Sequence, residues 1–417
     1  MPARDLQSGP TETVLVLGHY RTSLTVCRLL GQAGHTVIAG RSKPTSAEKS
    51  RYVTEVWQHP PADNNTEEFI ASLTAFLAKR PDITLLLPVA EFMLQLIIPH
   101  QESIPTKVAC NDRGLIKACT DKAAMLELAQ ELRVPVPTFE IAKSKDALTI
   151  SAEKIGFPCV VKPAANIPTY PKIWILRDQD DLDRQFKPWP KLLDTLIVEP
   201  WVGGIRFNRY FIAKAGKILQ SIDVRIARTH LPDGSGYAVE GISVADNPLM
   251  DSHCDALMQS LEYNGIGCIQ FLVDEAAGKV SFLEINARLP GNYAFAHYCG
   301  LDQLGALIDM TRGREATKTG AMPTMRYGKR FSWLYGDLTG MMAAANLRQI
   351  SPKGALTWSA RAILATIRAD KRLTMDWRDP KPNLYLGYRF VDTSVRFLLL
   401  QALKLGSSIF HRLRQMI

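Results

Sequence analysis

The sequence predicts a mixed α/β and α+β protein of several domains that closes in a mainly helical, basic module. Three observations predict it. Residues 13–105 alternate short apolar runs with helix-period stretches, the rhythm of a parallel sheet. Residues 196–310 are rich in strand signals and close on two apolar runs, GCIQFLVD (267–274) and VSFLEIN (280–286), joined by a DEAAGK turn. Residues 321–417 carry 16 Lys+Arg against 5 Asp+Glu, a balance of +11, whereas residues 1–320 carry 34 against 36, a balance of −2. The net charge of +9 therefore belongs to the C-terminal quarter.

The length of 417 residues suits two or three domains, and 46% hydrophobic residues can build large cores. TVLVL (13–17) reads as a buried strand, followed by Gly18, a helix ending near Ala33, and the strands HTVIA (35–39) and ITLLL (83–87). The first turn, GHYRTS (18–23), lacks the later glycines of G-x-G-x-x-G, and Arg41 stands near the end of the second strand where an acid would be needed. Both features argue against a dinucleotide site. Glu91 follows the strand end LPVA, where such sheets bind ligands, so it is a candidate for the substrate cleft or for a helix cap. DQDDLD (178–183) reads as a helix start, its acids complementing the dipole.

The chemistry concentrates on the last strand of the second region. Phe282, Leu283 and Ile285 leave Glu284 and Asn286 as its polar positions. Two residues apart, they share one sheet face. A carboxylate and an amide oxygen side by side suit Mg²⁺ bound together with phosphates. Gln270 on the neighbouring run can add an oxygen, and Arg288 a fixed cation.

This stretch resembles the metal-binding strand of ATP-grasp ligases, most closely the carbamoyl-phosphate synthase type. Upstream, TDKAAMLELAQELRVPVP (120–137) resembles that family's first basic motif, IGFPCVVKP (155–163) its strand lysine, and LIVEPWVGG (196–204) its adenine linker. The resemblance implies a Rossmann-like pre-ATP-grasp domain at 13–105 after a flexible N-terminus (1–12). It implies an ATP-grasp core of two α+β subdomains, 106–195 and 196–315, before a basic helical module at 316–417. It also implies an ADP-forming ligase that joins a small-molecule carboxylate to an amine through an acyl phosphate, using ATP and Mg²⁺, with Mn²⁺ as a substitute. Gln270, Glu284 and Asn286 would hold the metal and Arg288 would steady the transferring phosphoryl group. Lys122 and Lys162 would meet the nucleotide phosphates, while Glu199, Pro200, Trp201 and Val202 would line the adenine. Arg225 and Arg228 are candidates for a substrate carboxylate, as an arginine fork suits one.

Two features depart from the family. The segment after the strand lysine, AANIPTYPKIW (164–174), has no glycine, and Arg206 stands where an acid usually accepts from ribose hydroxyls. They support an alternative: a weakened ATP-grasp-fold protein that binds nucleotide or metabolite without turnover.

Seven cysteines without a C-x-x-C pair suggest reduced thiols and a cytoplasmic location. Met1–Pro10 shows no signal peptide, and no apolar run is long enough to span a bilayer. Trp333, Trp358 and Trp377 lie in the basic module, but no nucleic-acid motif accompanies them, so no nucleic-acid partner is expected. ARAILATIRA (360–369) and VRFLLLQALKLGSSIFHRLR (395–414) read as basic amphipathic helices. They fit an anionic membrane surface at the inner face of a membrane, or packing on the protein's own core. A homodimer is left open.

Overall fold

A computed structural model describes residues 11–18, 21–63, 65–165, 173–187, 189, 195–314 and 324–395. The first domain contains β1 (Thr13–Leu17), α1 (Arg21–Gln32), β2 (Thr36–Arg41), β3 (Glu55–Gln58), α2 (Thr66–Ala78), β4 (Ile83–Pro88), α3 (Glu91–Ile97) and β5 (Lys107–Val108). Its five strands run parallel in the order β3-β2-β1-β4-β5. Val14, Leu15 and Leu17 are fully buried, which explains why the central strand reads as an unbroken apolar run. Gly18, just after β1, lies beside Ala90, which precedes Glu91: a Cβ on Gly18 would come within 3.4 Å of the Ala90 N.

The next unit holds α4 (Arg113–Thr120), α5 (Lys122–Glu131), β6 (Glu140–Ala142), α6 (Lys145–Ile155), β7 (Cys159–Pro163), β8 (Trp174–Leu176), α7 (Gln179–Gln185) and β9 (Leu196–Pro200). Its antiparallel sheet has the order β6-β9-β7-β8. Asp112, Asp121, Ser144 and Asp178 cap its four helices by accepting from backbone N–H groups.

The third unit continues with β10 (Ile205–Lys214), β11 (Lys217–Thr229), β12 (Ala238–Val244), α8 (Pro248–Ser260), β13 (Gly265–Asp274), β14 (Lys279–Asn286), α9 (Tyr293–Tyr298) and α10 (Gln303–Thr311). Beyond residue 323 come β15 (Arg330–Ser332), α11 (Leu334–Asn346), α12 (Pro352–Arg368) and β16 (Lys371–Arg372), and residues 381–395 are helical. One sheet runs through them all, β14-β13-β10-β11-β12-β15-β16. The C-terminal region, expected to be mainly helical, thus also contributes two short strands to the edge of the core sheet. One face of this sheet buries Phe207, Phe271 and Phe282 beneath α4, α5 and α8. The other buries Tyr210, Ile222, Val224 and Cys268 against α9, α10 and the first domain.

Buried ion pairs fasten the C-terminal region to the rest. Arg28 of α1 donates to Asp379 at 2.8 Å, and that carboxylate also accepts from Ser50 Oγ and the Arg51 N–H. Arg228 of β11 meets Asp337 of α11 through both Nη atoms. The expected helix at 395–414 and most of the 164–174 lid segment lie outside the described residues, as do residues 1–10.

Candidate active site

The antiparallel register of three strands builds the site in rungs. Asn208 of β10 lies opposite Gln270 of β13, and Gln270 opposite Glu284 of β14. The next rung is Tyr210, Cys268 and Asn286. Opposed residues point to the same face of a sheet, so Asn208, Gln270 and Glu284 converge. Asn286 Nδ2 donates to Glu284 Oε1 at 2.7 Å. Arg288 Nη2 donates to Asn286 Oδ1 at 2.9 Å and to Glu91 Oε2 at 3.0 Å. Glu91, from the first domain, therefore closes the row from the opposite side. It does not cap α3, whose cap position is Ala90.

A small cavity is lined by Glu91, Lys122, Glu284, Asn286 and Arg288. Lys122 opens α5, and its N–H donates to Ala164 O at 3.0 Å, tying the helix start to the end of β7. A cleft of about 590 Å³ adjoins this cavity, sharing Leu94, Ile116 and Thr120 with it and adding Arg113 and Lys117.

Apart from Lys122, the residues expected at the nucleotide lie in the four-stranded sheet or directly after its strand β9. Lys162 is buried and pairs with Glu199 at 2.8 Å. This protein carboxylate gives the buried ammonium the anionic partner it requires. Pro200 lies opposite Cys159, and the Trp201 N–H donates to Pro158 O at 3.1 Å. The Trp201 side chain is largely exposed. At Gly204 the chain turns with φ +138°, and a Cβ there would approach the Val273 carbonyl oxygen at 3.2 Å.

Arg206 sits on the face that carries Asn208, two residues earlier on β10. Its Nη1 donates to Gly236 O at 2.9 Å. Burial pulls its pKa below the usual arginine value, against the charges of Tyr210 and Glu284. The loop that it reaches is held by His230, whose Nδ1 accepts from the Tyr237 N–H at 2.9 Å. Burial lowers the His230 pKa, and the nearby cations Arg21 and Arg206 act in the same direction.

Arg225 and Arg228 do not join the cluster. Arg225 lies opposite Phe207, on the other face of the sheet, and pairs with Glu275 at the hairpin turn. A register shift between Ile226 and Arg228 re-aims the strand. Arg228 then donates to Asp337 and Glu240.

The fit to a metal rests on the donor set. Among the described residues, no group of three His, Cys, Asp or Glu side chains is placed to hold a cation. Glu284 supplies one carboxylate beside three carboxamides, and the buried Asn208 Oδ1 has no hydrogen-bond partner. One carboxylate with amide oxygens suits a cation that arrives with phosphate oxygens of its own. Sequence reasoning about the metal passed over Asn208, although its alternation with Arg206 and Tyr210 carries the period of a strand. It also missed Arg21, which donates to Asn292 Oδ1 at 2.5 Å and lies 3.9 Å over the Trp333 ring. These partners lie far away in sequence, so no local pattern marks them.

The family model "Carbamoyl-phosphate synthase L chain, ATP binding domain" matches residues 240–315, which include the hairpin with Gln270, Glu284 and Asn286. A protein of Emericella nidulans provisionally named a urea carboxylase is 35% identical over 92 residues, 19% of this chain. The match spans only 7% of that protein's length. Among solved structures, the biotin carboxylase domain of Hydrogenobacter thermophilus 2-oxoglutarate carboxylase, in complex with MgADP, ADP and bicarbonate, is similar with a TM-score of 0.59 at 17% identity. The similarity covers 76% of this chain and 73% of that one. The L-amino acid ligase of Bacillus licheniformis is similar with a TM-score of 0.59 at 13% identity, over 78% and 79% of the two chains. At these identities the likeness is one of fold.

Proposed function

We propose, from the ATP-grasp superfamily to which family model and fold both point, that this chain is an ATP-dependent, ADP-forming ligase. It would join a small-molecule carboxylate to an amine or similar nucleophile. The observation that carries the reading is the row Asn208, Gln270, Glu284, with Asn286, Arg288 and Glu91 beside it. Mg²⁺, or Mn²⁺ in its place, would be held by Glu284, Asn286 and Gln270, with Asn208 alongside, and would neutralise charge developing on the phosphates.

The chain's own groups then have defined tasks. A carboxylate oxygen of the substrate attacks the γ-phosphorus of ATP, the bond to the bridging oxygen breaks, and ADP leaves. The amine attacks the acyl carbon, phosphate departs, and the amine nitrogen gives up its proton. Such transfer needs in-line positioning and charge neutralisation more than covalent help. Arg288, fixed by Glu91 and Asn286, presents a cation of set direction at the cavity. Lys122, which lines the same cavity, adds a second cation. Lys162 and Glu199, with the strand end Pro200–Val202, would form the nucleotide side. The adjoining cleft, with Arg113 and Lys117, has room for the acceptor and charge for an anionic one. Seven free cysteines accord with a reducing, cytoplasmic setting.

A second reading, a fold that binds nucleotide without turnover, is favoured by Arg206. Its donor-only side chain occupies the position of an expected ribose acceptor. Product analysis separates the two. The full chain, incubated with ATP, Mg²⁺ and pairs drawn from carboxylate and amine panels, should release ADP and phosphate in equal amounts. AMP and pyrophosphate as stoichiometric products would reject the acyl-phosphate route. Nucleotide binding without products from any pair would select the second reading.

A further inference from the structure

Helix α12 packs with its small residues inward and its large aliphatic residues outward. Ala362, Ala365 and Thr366 are buried, whereas Leu356, Ile363 and Ile367 are 72, 52 and 67% exposed. With Ala360 these last three form one stripe, spaced i, i+4, i+7 and i+11. The helix at 381–395 repeats the pattern, with Leu384, Tyr388, Val391 and Val395 exposed at the same spacing. Between the two helices, Trp377 is 88% exposed. Exposed apolar surface so organised marks a face that meets something apolar.

The charges identify the partner. Lys353, Arg361 and Arg368 are exposed on α12, and Lys381 and Arg389 on the following helix. Of the acids nearby, Asp379 is buried against Arg28, Asp370 accepts from the Arg330 N–H and pairs with Lys329, Asp376 accepts from the Arg378 N–H, and the half-buried Asp392 is the one acid on the two helices, against five exposed Lys and Arg. The face is left basic. A second copy of the chain would bring like charges together. Residues 396–417 carry Arg396, Lys404, Arg412 and Arg414 and no acid, so they cannot neutralise it either. A free anion would answer the charge but not the aliphatic stripes.

We propose that the exposed apolar stripes of α12 and of the helix at 381–395, with Trp377 in the segment that joins them, dock on an anionic lipid bilayer and enter its headgroup boundary. This is independent of the ligase reading, because none of these residues belongs to the candidate site. It assigns the contact to described residues rather than to the helix expected at 395–414.

The test is co-sedimentation of the full chain at low salt with vesicles of phosphatidylcholine, with or without phosphatidylglycerol. The chain should pellet with the anionic vesicles, and partition about ten-fold less into the neutral ones. The double variant Ile363→Glu/Ile367→Glu should lose binding by a similar factor, about ten-fold, because it removes apolar penetration. Arg361→Glu/Arg368→Glu should do the same through charge. Both pairs are exposed, so thermal melting and ATP binding should match the parent and exclude misfolding. Trp377→Phe should abolish most of any lipid-induced blue shift in tryptophan emission. Absence of pelleting, equal partition into both vesicle types, or wild-type binding by the Ile363/Ile367 variant would each overturn the proposal. So would a concentration-dependent dimer that the same variant dissociates.

Discussion

Glu91 is the residue that makes the candidate site a product of two domains. It starts α3, at the edge where the parallel strands end, yet its carboxylate accepts from Arg288 on the far side of the cavity. Arg288 is thereby pinned between Glu91 and Asn286. Glu91→Gln keeps the shape and removes the charge. We expect turnover to fall by roughly 10- to 100-fold with ATP affinity little changed, as for residues that orient a ligand group. Steady-state kinetics and ATP titration together check this; loss of ATP binding alone would place Glu91 at the nucleotide instead. Burial raises the pKa of Cys159 to about 11 and that of Cys119 to about 12, so both thiols stay protonated.

At the scale of elements, the hairpin β13–β14 was legible because a two-residue period with only two polar positions has one structural meaning. The strands of the first domain were legible for another reason: Val14 to Leu17 form a short, β-branched-rich apolar run that fits a strand buried on both faces. The placement of Arg225 and Arg228 was not legible, because the register shift between Ile226 and Arg228 has no sequence mark and because Asp337, the partner of Arg228, lies 109 residues away. The strands at 330–332 and 371–372 are too short for any periodicity to show. The turn from β9 into β10 favours Gly204, where the positive φ strains any side chain and a Cβ would press on the Val273 backbone at 3.2 Å. Gly204→Ala should cost about 1 kcal/mol or more, seen as a lower denaturation midpoint. An unchanged midpoint would show that the turn relaxes freely.

The whole molecule is held together by charges that join regions distant in sequence. Burial raises the Asp379 carboxyl, but hydrogen bonds from Ser50, the Arg51 N–H and Arg28 outweigh it and hold the group below the usual carboxylate range. A depressed folded-state pKa gives stability that is present above the ordinary carboxylate pKa and is lost as pH falls toward the folded value. Asp379→Asn should therefore destabilise the chain near neutral pH by about 3 kcal/mol, since buried Arg28 loses its counter-charge, and should flatten the acid side of the stability profile. Urea titrations across pH check both, and parallel profiles for the two proteins would show that the pair is not coupled to folding. The ligase reading requires that the row of Asn208, Gln270 and Glu284 receive Mg²⁺ together with ATP. Isothermal titration of ATP into the full chain, with Mg²⁺ or with a chelator, and into Glu284→Ala, measures this directly. The account predicts binding that tightens with Mg²⁺ in the parent and a variant that folds normally but no longer responds to the metal. Equal affinity with and without Mg²⁺ in the parent, or an undiminished Mg²⁺ response in Glu284→Ala, would contradict it.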